Sequence, residues 1–177
     1  MSAFDNAGNE GTLTVGGINV DSTAPSLSFT GIQALYSIAD VITIGCDVSD
    51  GLSGIDTVDC DSVPSVLAVD YSTWADEGGS ITGTFTVEAT AVDLAGNTTT
   101  ISDSFAIVVD NASLADLVER YAGNGPGVNG LLAKLDQGDY QAFINQVNAK
   151  CCTPANGKLF SQAEAAALIT LATELNN

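Results

Sequence analysis

The chain carries Ala91-Val92-Asp93-Leu94-Ala95-Gly96-Asn97 near its middle, and Ala3-Phe4-Asp5-Asn6-Ala7-Gly8-Asn9 repeats the pattern at an offset of 88 residues. Five of the seven positions are identical. Each copy is followed by an extended Thr-, Ser- and Gly-rich run that ends in a branched residue and an aspartate, Val20-Asp21 in the first and Val109-Asp110 in the second. A repeat of this length is the size of one β-sandwich domain. The first copy therefore resembles the last hairpin of a preceding unit, and residues 22–110 are predicted to form one complete unit.

The region between the two repeats alternates apolar and polar residues with the period of two that is typical of β-strands. In the longest alternations, residues 42–48 and 85–91, every second residue is apolar. Shorter runs predict further strands at residues 27–29, 55–60, 67–69 and 101–109. Turns rich in Gly, Asp and Ser separate the strands, and no helical pattern between them provides parallel crossovers. We therefore predict an all-β Ig-like sandwich.

After the sandwich unit, apolar residues begin to recur at helical spacing. Ser113-Leu114-Ala115-Asp116 has the spacing of a capping box with Asp in place of Glu or Gln, and Ser161-Gln162-Ala163-Glu164 is a complete one. These positions predict the starts of the first and fourth helices, and apolar stripes at residues 128–135 and 140–147 predict the second and third. Residues 111–177 are therefore expected to form a separate small all-α domain of four helices.

The predicted domain organisation is a hairpin remnant and linker at residues 1–21, the sandwich at 22–110 and the helical domain at 111–177. The first residues, Met1-Ser2-Ala3-Phe4-Asp5-Asn6, lack the basic and apolar regions of a signal peptide. The four cysteines and the abundance of Thr, Ser, Gly and Asp nevertheless suit an oxidising exterior. We expect the chain to be an excerpt from a longer precursor that is secreted or displayed at the cell surface.

Charge and composition exclude several classes of function. The chain has 4 Lys+Arg against 22 Asp+Glu, a net charge of −18, so no basic patch can bind nucleic acid or an anionic membrane. It has no histidine, which removes Ser-His-Asp and Cys-His nucleophilic sites and His-ligated metals. The longest apolar run, residues 165–173, is too short for a membrane span. We predict a protein without enzymatic activity, nucleic-acid partners or direct membrane insertion.

Three motifs, in this order, resemble the bacterial Ig-like repeats of large surface and secreted proteins: Val20-Asp21-Ser22-Thr23-Ala24-Pro25, Asp50-Gly51-Leu52-Ser53-Gly54-Ile55 and Ala91 to Asn97. C-terminal segments are similar to the FIMAH helical domain, typical of the end of secreted bacterial multidomain proteins: residues 132–135, 143–149, 157–158 and 163–168. Both resemblances imply non-catalytic accessory modules. They favour an Ig-like spacer that carries a helical domain for adhesion or assembly, with neighbouring domains or another surface protein as partners.

The four cysteines fall into two pairs. Cys46 lies on the predicted second strand and Cys60 at the end of the third, on either side of a tight turn. Antiparallel neighbours of this kind have the separation that a disulfide needs, and closing a loop of about 15 residues contributes roughly 3 kcal/mol. We predict a Cys46–Cys60 disulfide. The adjacent Cys151 and Cys152 have three alternatives, which are a vicinal disulfide, bonds to other cysteines, or two free thiols.

Acidic residues in three loops form a candidate metal site. In an Ig-like sandwich the start of the first strand, the second-to-third-strand loop and the sixth-to-seventh-strand loop meet at one pole. These segments carry Asp21, Asp50, and Asp93 with Asn97. Their oxygens suit Ca²⁺, which takes 6–8 oxygen ligands, and the family resemblance points the same way because calcium often stiffens junctions between such repeats. The alternative is turn chemistry, in which Asp and Asn side chains bond to their own backbone.

Tyr71 and Trp74 are a candidate glycan contact, because carbohydrate sites need aromatic platforms. The alternative is that the pair closes the open side of the sandwich. The glycan interpretation gives a second function, a carbohydrate-binding accessory region of a secreted hydrolase. A third is a filament subunit that donates residues 10–20 as a strand to a neighbour.

Overall fold

Two β-sheets make up most of the N-terminal part in the computed structural model, which describes residues 2–12, 20–75, 80–152 and 159–177. In chain order the strands are β1 (Ser2–Phe4), β2 (Glu10–Thr12), β3 (Ser26–Thr30), β4 (Leu35–Ser37), β5 (Val41–Ser49), β6 (Ile55–Cys60), β7 (Val63–Leu67), β8 (Gly83–Asp93) and β9 (Thr98–Val108). They are ordered β3-β5-β7 in one sheet and β4-β9-β8-β6 in the other, and β1-β2 is a separate hairpin. The predicted all-β sandwich is confirmed.

The antiparallel pair β8–β9 forms the middle of the larger sheet, in register from Gly83↔Ile107 to Val92↔Thr98. Alternate residues of β8 are buried, while Thr84, Thr86 and Glu88 between them are exposed. Because successive side chains of a strand point to opposite faces, this alternation places one apolar row against the smaller sheet. The strand therefore spans the sandwich from one pole to the other.

The strand predicted at residues 67–69 is wrong after Leu67, where β7 ends. Residues Ala68–Asp70 form a single 3₁₀ turn that leads into α1, the one-turn helix Tyr71–Trp74. The first two N–H groups of the turn donate to the carbonyls of Asp40 and Ile38, at 2.9 and 3.1 Å. Since these buried groups find partners far away in the chain, local alternation does not determine the backbone here.

The strand β4 is not among the predicted strands, because three residues are too short to show alternation. It pairs in parallel with β9, and its central residue, Tyr36, is 1% exposed. Phe105 lies at the centre of an aromatic cluster, with its ring centroid 5.4 Å from Tyr36, 5.0 Å from Tyr71 and 5.8 Å from Phe85. This cluster joins β4, β8, β9 and α1 in one core.

Four helices follow the sandwich within the described residues: α2 (Asn111–Ala122), α3 (Pro126–Asp136), α4 (Tyr140–Lys150) and α5 (Gln162–Leu175). Their buried faces carry mainly Leu, Val, Ala and Phe. The predicted capping box of the last helix is present, since Ser161 Oγ accepts from the Glu164 N–H and Glu164 accepts from the Ser161 N–H. The second predicted part of the fold, a small all-α domain of four helices, is therefore confirmed. None of the described helices is long and apolar enough to cross a membrane.

The predicted N-terminus of the first helix is wrong by one turn. Asp110, and not Ser113, is the N-cap of α2. The Asp110 carboxylate accepts from the Ser113 N–H at 2.7 Å, and Ser113 Oγ accepts from the Asp110 N–H at 2.9 Å. Asp is as good an N-cap as Ser, so the choice between them depends on where β9 ends and not on the residue type.

Polar groups join the helical domain to the sandwich, in addition to the buried apolar residues of the two, which form one cluster. Thr82 Oγ1 donates to Glu174 of α5 at 2.6 Å, and Arg120 of α2 donates to the Ala39 carbonyl at 3.2 Å. Burial together with the charges of Asp70 and Glu164 raises the pKa of Tyr121 to about 12. The two domains therefore meet at the pole where β8 begins.

The N-terminal hairpin β1–β2 is paired from Ser2↔Thr12 to Phe4↔Glu10, and all its strand residues are exposed. Residues 10–12 of the strand predicted for donation to a neighbour belong to this hairpin. Residues 13–19, most of that strand, lie outside the described residues.

Candidate metal centre

Three carboxylates meet at the pole of the sandwich where the chain enters. Asp21 precedes β3, Asp50 follows β5 and Asp93 ends β8. One carboxylate oxygen from each lies within 4.8 Å of the others. The structure thus brings together three of the four predicted ligands. Two of them, Asp21 and Asp93, are 72 positions apart in the chain (93 − 21).

Asp93 is held at the hairpin between β8 and β9. Its side chain is 1% exposed, and its Oδ1 accepts from the N–H groups of Ala95 and Asn97 at 2.9 and 2.8 Å. Burial alone would raise the pKa of Asp93, but hydrogen bonds from Asn97 and Ala95 outweigh it, so the pKa lies below its ordinary value. The carboxylate is therefore charged at neutral pH although it is covered by protein.

Asp21 connects the entering linker to the Asp50 loop. Its Oδ1 accepts from the Thr23 N–H at 2.8 Å and its Oδ2 from the Ser53 N–H at 3.0 Å. The nearby Ser53 hydroxyl and these N–H groups lower the pKa of Asp21. Nothing in the sequence marks Ser53 as part of the site, because its N–H reaches Asp21 only after the chain has folded.

Asp50 shapes its own loop, since its Oδ2 accepts from the N–H groups of Leu52 and Gly54 at 3.0 and 2.7 Å. Gly54 has φ +84°, a conformation that side-chain-bearing residues rarely adopt. The Asp50-Gly51-Leu52-Ser53-Gly54 spacing is the signal in the sequence for this loop. It aims the Asp50 carboxylate at Asp21 and Asp93.

Asn97, the fourth predicted ligand, presents its amide nitrogen to the cluster. Nδ2 donates to Asp93 Oδ2 at 2.8 Å and, more weakly, to the carbonyls of Asp21 and Thr23 at 3.4 and 3.3 Å. In this orientation Asn97 positions Asp93 and joins it to the linker. The charged oxygen ligands that this cluster offers to a cation are therefore the three carboxylates.

The first copy of the repeat shows which hydrogen bonds of Asp93 arise from the turn alone. Asp5 Oδ1 accepts from the N–H groups of Ala7 and Asn9 at 2.9 Å each, and Asn9 Nδ2 donates to Asp5 Oδ2 at 2.8 Å. These are the same bonds that Asp93 makes. Because the first turn forms without further carboxylates, turn chemistry accounts for the Asp-x-Ala-Gly-Asn motif itself. It does not account for the approach of Asp21 and Asp50 to Asp93.

The residues fit a hard cation chemically. Three like charges this close repel each other, and the Asp21 charge acts against the ionised form of Asp93. Each of the three carboxylates keeps at least one lone pair beyond the hydrogen bonds described above, and Ca²⁺ prefers carboxylate, carbonyl and water oxygens. A cation here would offset the repulsion and complete its coordination with water. The cluster is therefore a candidate calcium centre.

Acid should lower the free energy of unfolding, because it protonates the carboxylates at this pole. The pKa values of Asp21 and Asp93 lie below the ordinary 3.8 in the folded chain, so near that pH the unfolded chain binds more protons. The stabilisation is complete above about pH 4 and is lost as pH falls through the lower folded pKa values. Urea unfolding between pH 7 and pH 2.5 measures it, and Asp93→Asn should flatten the acid limb. A wild-type profile in that variant would contradict the prediction.

The two candidate glycan residues differ in their exposure to solvent. Tyr71 is 3% exposed and packs edge-on against Phe85 and Phe105 at 5.1 and 5.0 Å, so its ring closes the sandwich. Trp74 is 47% exposed and lies in α1, not in a loop. Its indole is the part of the pair that a ligand can reach.

The predicted Cys46–Cys60 disulfide is present, with a Cα–Cα distance of 6.4 Å. It joins β5 to β6, which belong to different sheets, and so the prediction that they are antiparallel neighbours is wrong. The bond is a clamp between the two layers of the sandwich. Cys151 and Cys152 are paired with each other.

The match to a known family covers the sandwich and ends where the helical domain begins. Residues 12–111 match the bacterial Ig-like domain, a family that is generally non-catalytic and typical of surface or extracellular proteins. No curated protein and no solved structure gives a significant match. The match stops at the first residue of α2, so the FIMAH resemblance of the helical domain stays a prediction. Since the matched segment covers more than half of the chain and all three carboxylate loops, the chain belongs to the bacterial Ig-like domain family.

Proposed function

We propose that the chain is a non-catalytic extracellular module of a larger secreted or surface protein, in which an Ig-like spacer carries a helical domain for adhesion or assembly. Membership of the Ig-like family supports the spacer, and the disulfide between the sheets suits an oxidising compartment. The repeated hairpin supports neighbouring Ig-like units as partners, because the same turn occurs twice with the same hydrogen bonds.

We further propose that Ca²⁺ stiffens the junction at the entering pole. The observation that carries this proposal is the position of Asp21, which lies in the linker and yet approaches Asp50 and Asp93 of the sandwich. An ion shared by the three would fix the linker to the domain. Without it, their repulsion favours a splayed pole and a junction that bends.

Geometry and location favour calcium over magnesium. Mg²⁺ demands a near-ideal octahedron and loses water reluctantly, whereas Ca²⁺ accepts the irregular ligand sets that loops provide. The two domains meet at the opposite end of β8, so a stiff sandwich would hold the helical domain away from the junction. A stiff junction at the entering pole would thereby set the position of the helical domain at the opposite pole.

We expect Ca²⁺ to raise the melting temperature of the sandwich. Extracellular modules typically bind Ca²⁺ with Kd of about 10⁻⁴–10⁻³ M. At ten times Kd the stabilisation is RT ln 11, about 1.4 kcal/mol, which is a shift of several degrees. The measurement is thermal unfolding in EDTA and in equal concentrations of Ca²⁺ and Mg²⁺, and Mg²⁺ should have a much smaller effect.

The chain offers a matched pair of variants for this experiment. Asp50→Asn keeps an oxygen that can accept from Leu52 and Gly54 but removes a charge from the cluster, and it should abolish most of the calcium response. Asp5→Asn makes the same change in the repeated turn and should respond like wild type. If both ions raise the melting temperature equally, or if Asp50→Asn responds like wild type, the carboxylates serve only as turn formers.

A further inference from the structure

We propose that the cleft between the sandwich and the helical domain binds a neutral glycan chain, with Trp74 as its stacking surface. Trp74 is the single tryptophan of the chain and is 47% exposed. The Tyr71 ring, 6.1 Å away and tilted by 37°, supports it from the core. The indole is thus held by a buried partner and still presents a face to solvent.

Two clefts meet at this indole. One, of about 320 Å³, is lined on the sandwich side by Asp61, Ser62 and Thr86 in addition to Trp74. The other, of about 510 Å³, lies between the sandwich and α5 and includes Thr73 and Thr170. Ligand pockets in proteins begin at about 300 Å³, so each cleft is large enough for part of an oligosaccharide. The two clefts share Trp74 as a lining residue, so a ligand on the indole has access to both.

The lining matches the chemistry of a sugar. The larger cleft combines the apolar side chains of Val69, Ile81 and Ala166 with hydroxyls, and the described lining of each cleft includes one carboxylate, Asp61 or Asp70. A sugar ring has an apolar C–H face, which stacks on an indole, and a rim of hydroxyls that bond to carboxylates and hydroxyls. An apolar peptide would leave these polar groups unsatisfied.

Charge selects a neutral ligand over an anionic one. Residues 1–119 contain no Lys, Arg or His, and the chain has a net charge of −18. Acidic polysaccharides would be repelled because no basic side chain of the sandwich can pair with them. Among the described lining residues a cationic peptide would find one carboxylate in each cleft, whereas the dense carboxylate cluster lies at the other end of β8. The clefts therefore suit an uncharged, hydroxyl-rich chain.

The helical domain completes this site, which gives the junction of the two domains a role beyond spacing. Ala166 and Thr170 lie on the exposed side of α5 and line the cleft opposite Trp74. Asp93, at the far end of β8, lies at the other pole. Loss of the proposed calcium site should therefore leave glycan binding unchanged, and Asp50→Asn separates the two proposals.

The experiment is titration of the intact chain with cellohexaose, xylohexaose, mannohexaose and chitohexaose. Because Trp74 is the only tryptophan, its fluorescence reports binding directly, and calorimetry gives Kd for the variants. We expect saturable binding of at least one glycan below about 10 mM. Trp74→Ala should weaken it about tenfold or more. Ala166→Phe, which fills the cleft from the exposed face of α5 and keeps the indole, should also weaken it.

Leu94→Ala is the control, because Leu94 is 67% exposed and lies at the opposite pole; it should bind like wild type. Circular dichroism of each variant shows that it is folded. The proposal is overturned if no glycan of the panel binds, or if binding survives both Trp74→Ala and Ala166→Phe. Binding of a lysine-rich peptide that depends on Trp74, without glycan binding, would assign the cleft to a cationic partner instead.

Discussion

Replacing Phe105 by alanine is expected to destabilise the sandwich by about 3–5 kcal/mol, the usual cost of removing a buried aromatic ring. Phe105 is 1% exposed and touches three other aromatic rings, those of Tyr36, Tyr71 and Phe85. These rings come from β4, α1 and β8, so the cavity would lie where the larger sheet and the one-turn helix meet. Collapse into it requires several elements to move together, which places the cost near the upper end.

Denaturant unfolding followed by circular dichroism measures this change. Phe4→Ala is the matched control, because the same substitution at a side chain that is 67% exposed should change the free energy of unfolding by less than about 0.5 kcal/mol. A loss below about 1 kcal/mol in Phe105→Ala would show that the aromatic cluster does not organise the sandwich. The same variant should loosen Tyr71 and so broaden the emission of Trp74.

Removing the Cys46–Cys60 disulfide is expected to cost about 3 kcal/mol. The bond closes a loop with a sequence separation of 14, and constraining the unfolded chain over about 15 residues is worth roughly this amount. It also clamps β5 of one sheet to β6 of the other. The double variant Cys46→Ala/Cys60→Ala should therefore unfold at markedly lower denaturant concentration than wild type.

The control is Cys151→Ala/Cys152→Ala, which removes a pair of adjacent residues that closes almost no loop and should have a small effect on the sandwich. Peptide mapping without reduction checks the bond itself. Trypsin has no site before Arg120, so cleavage before aspartate is needed, and it separates Cys46 from Cys60 at Asp47, Asp50, Asp56 and Asp59. Recovery of both cysteines in alkylated form from unreduced protein would contradict the assignment.

One position of the repeat performs different tasks at the two junctions. Asp21 and Asp110 each come after a branched residue at the end of an extended run. Asp21 accepts from the Ser53 N–H and joins the carboxylate cluster, whereas Asp110 accepts from the Ser113 N–H and caps α2. The difference arises from the domain that begins after each aspartate. An Ig-like unit supplies loops that approach it, and a helix supplies free N–H groups.

Features that depend on near neighbours in the chain could be predicted from the sequence. Period-two alternation predicts β5 and β8, and the Ser161–Glu164 capping box predicts the start of α5, because each is encoded within a few residues. The repeated Asp-x-Ala-Gly-Asn turn predicts the Asp93 hairpin for the same reason. The pairing of Cys46 with Cys60 is predicted correctly from strands on either side of one tight turn, although these strands lie in different sheets.

Features that depend on distant groups were decided only by the tertiary structure. The alternation of apolar and polar residues does not reveal that β6 lies in the opposite sheet from β5. The sequence therefore predicts the disulfide between neighbouring strands, whereas it joins the two sheets. Hydrogen bonds that the N–H groups of Ala68 and Val69 donate to carbonyls of segment 38–40 turn Val69 out of its predicted strand. The bonds from the Asn97 amide to the linker carbonyls of Asp21 and Thr23 depend on the folded chain, and the Trp74 cleft exists because α5 packs opposite the indole. In each case the partner is far away in the chain, and residues that are distant in sequence acquire a definite geometry only when the whole core packs.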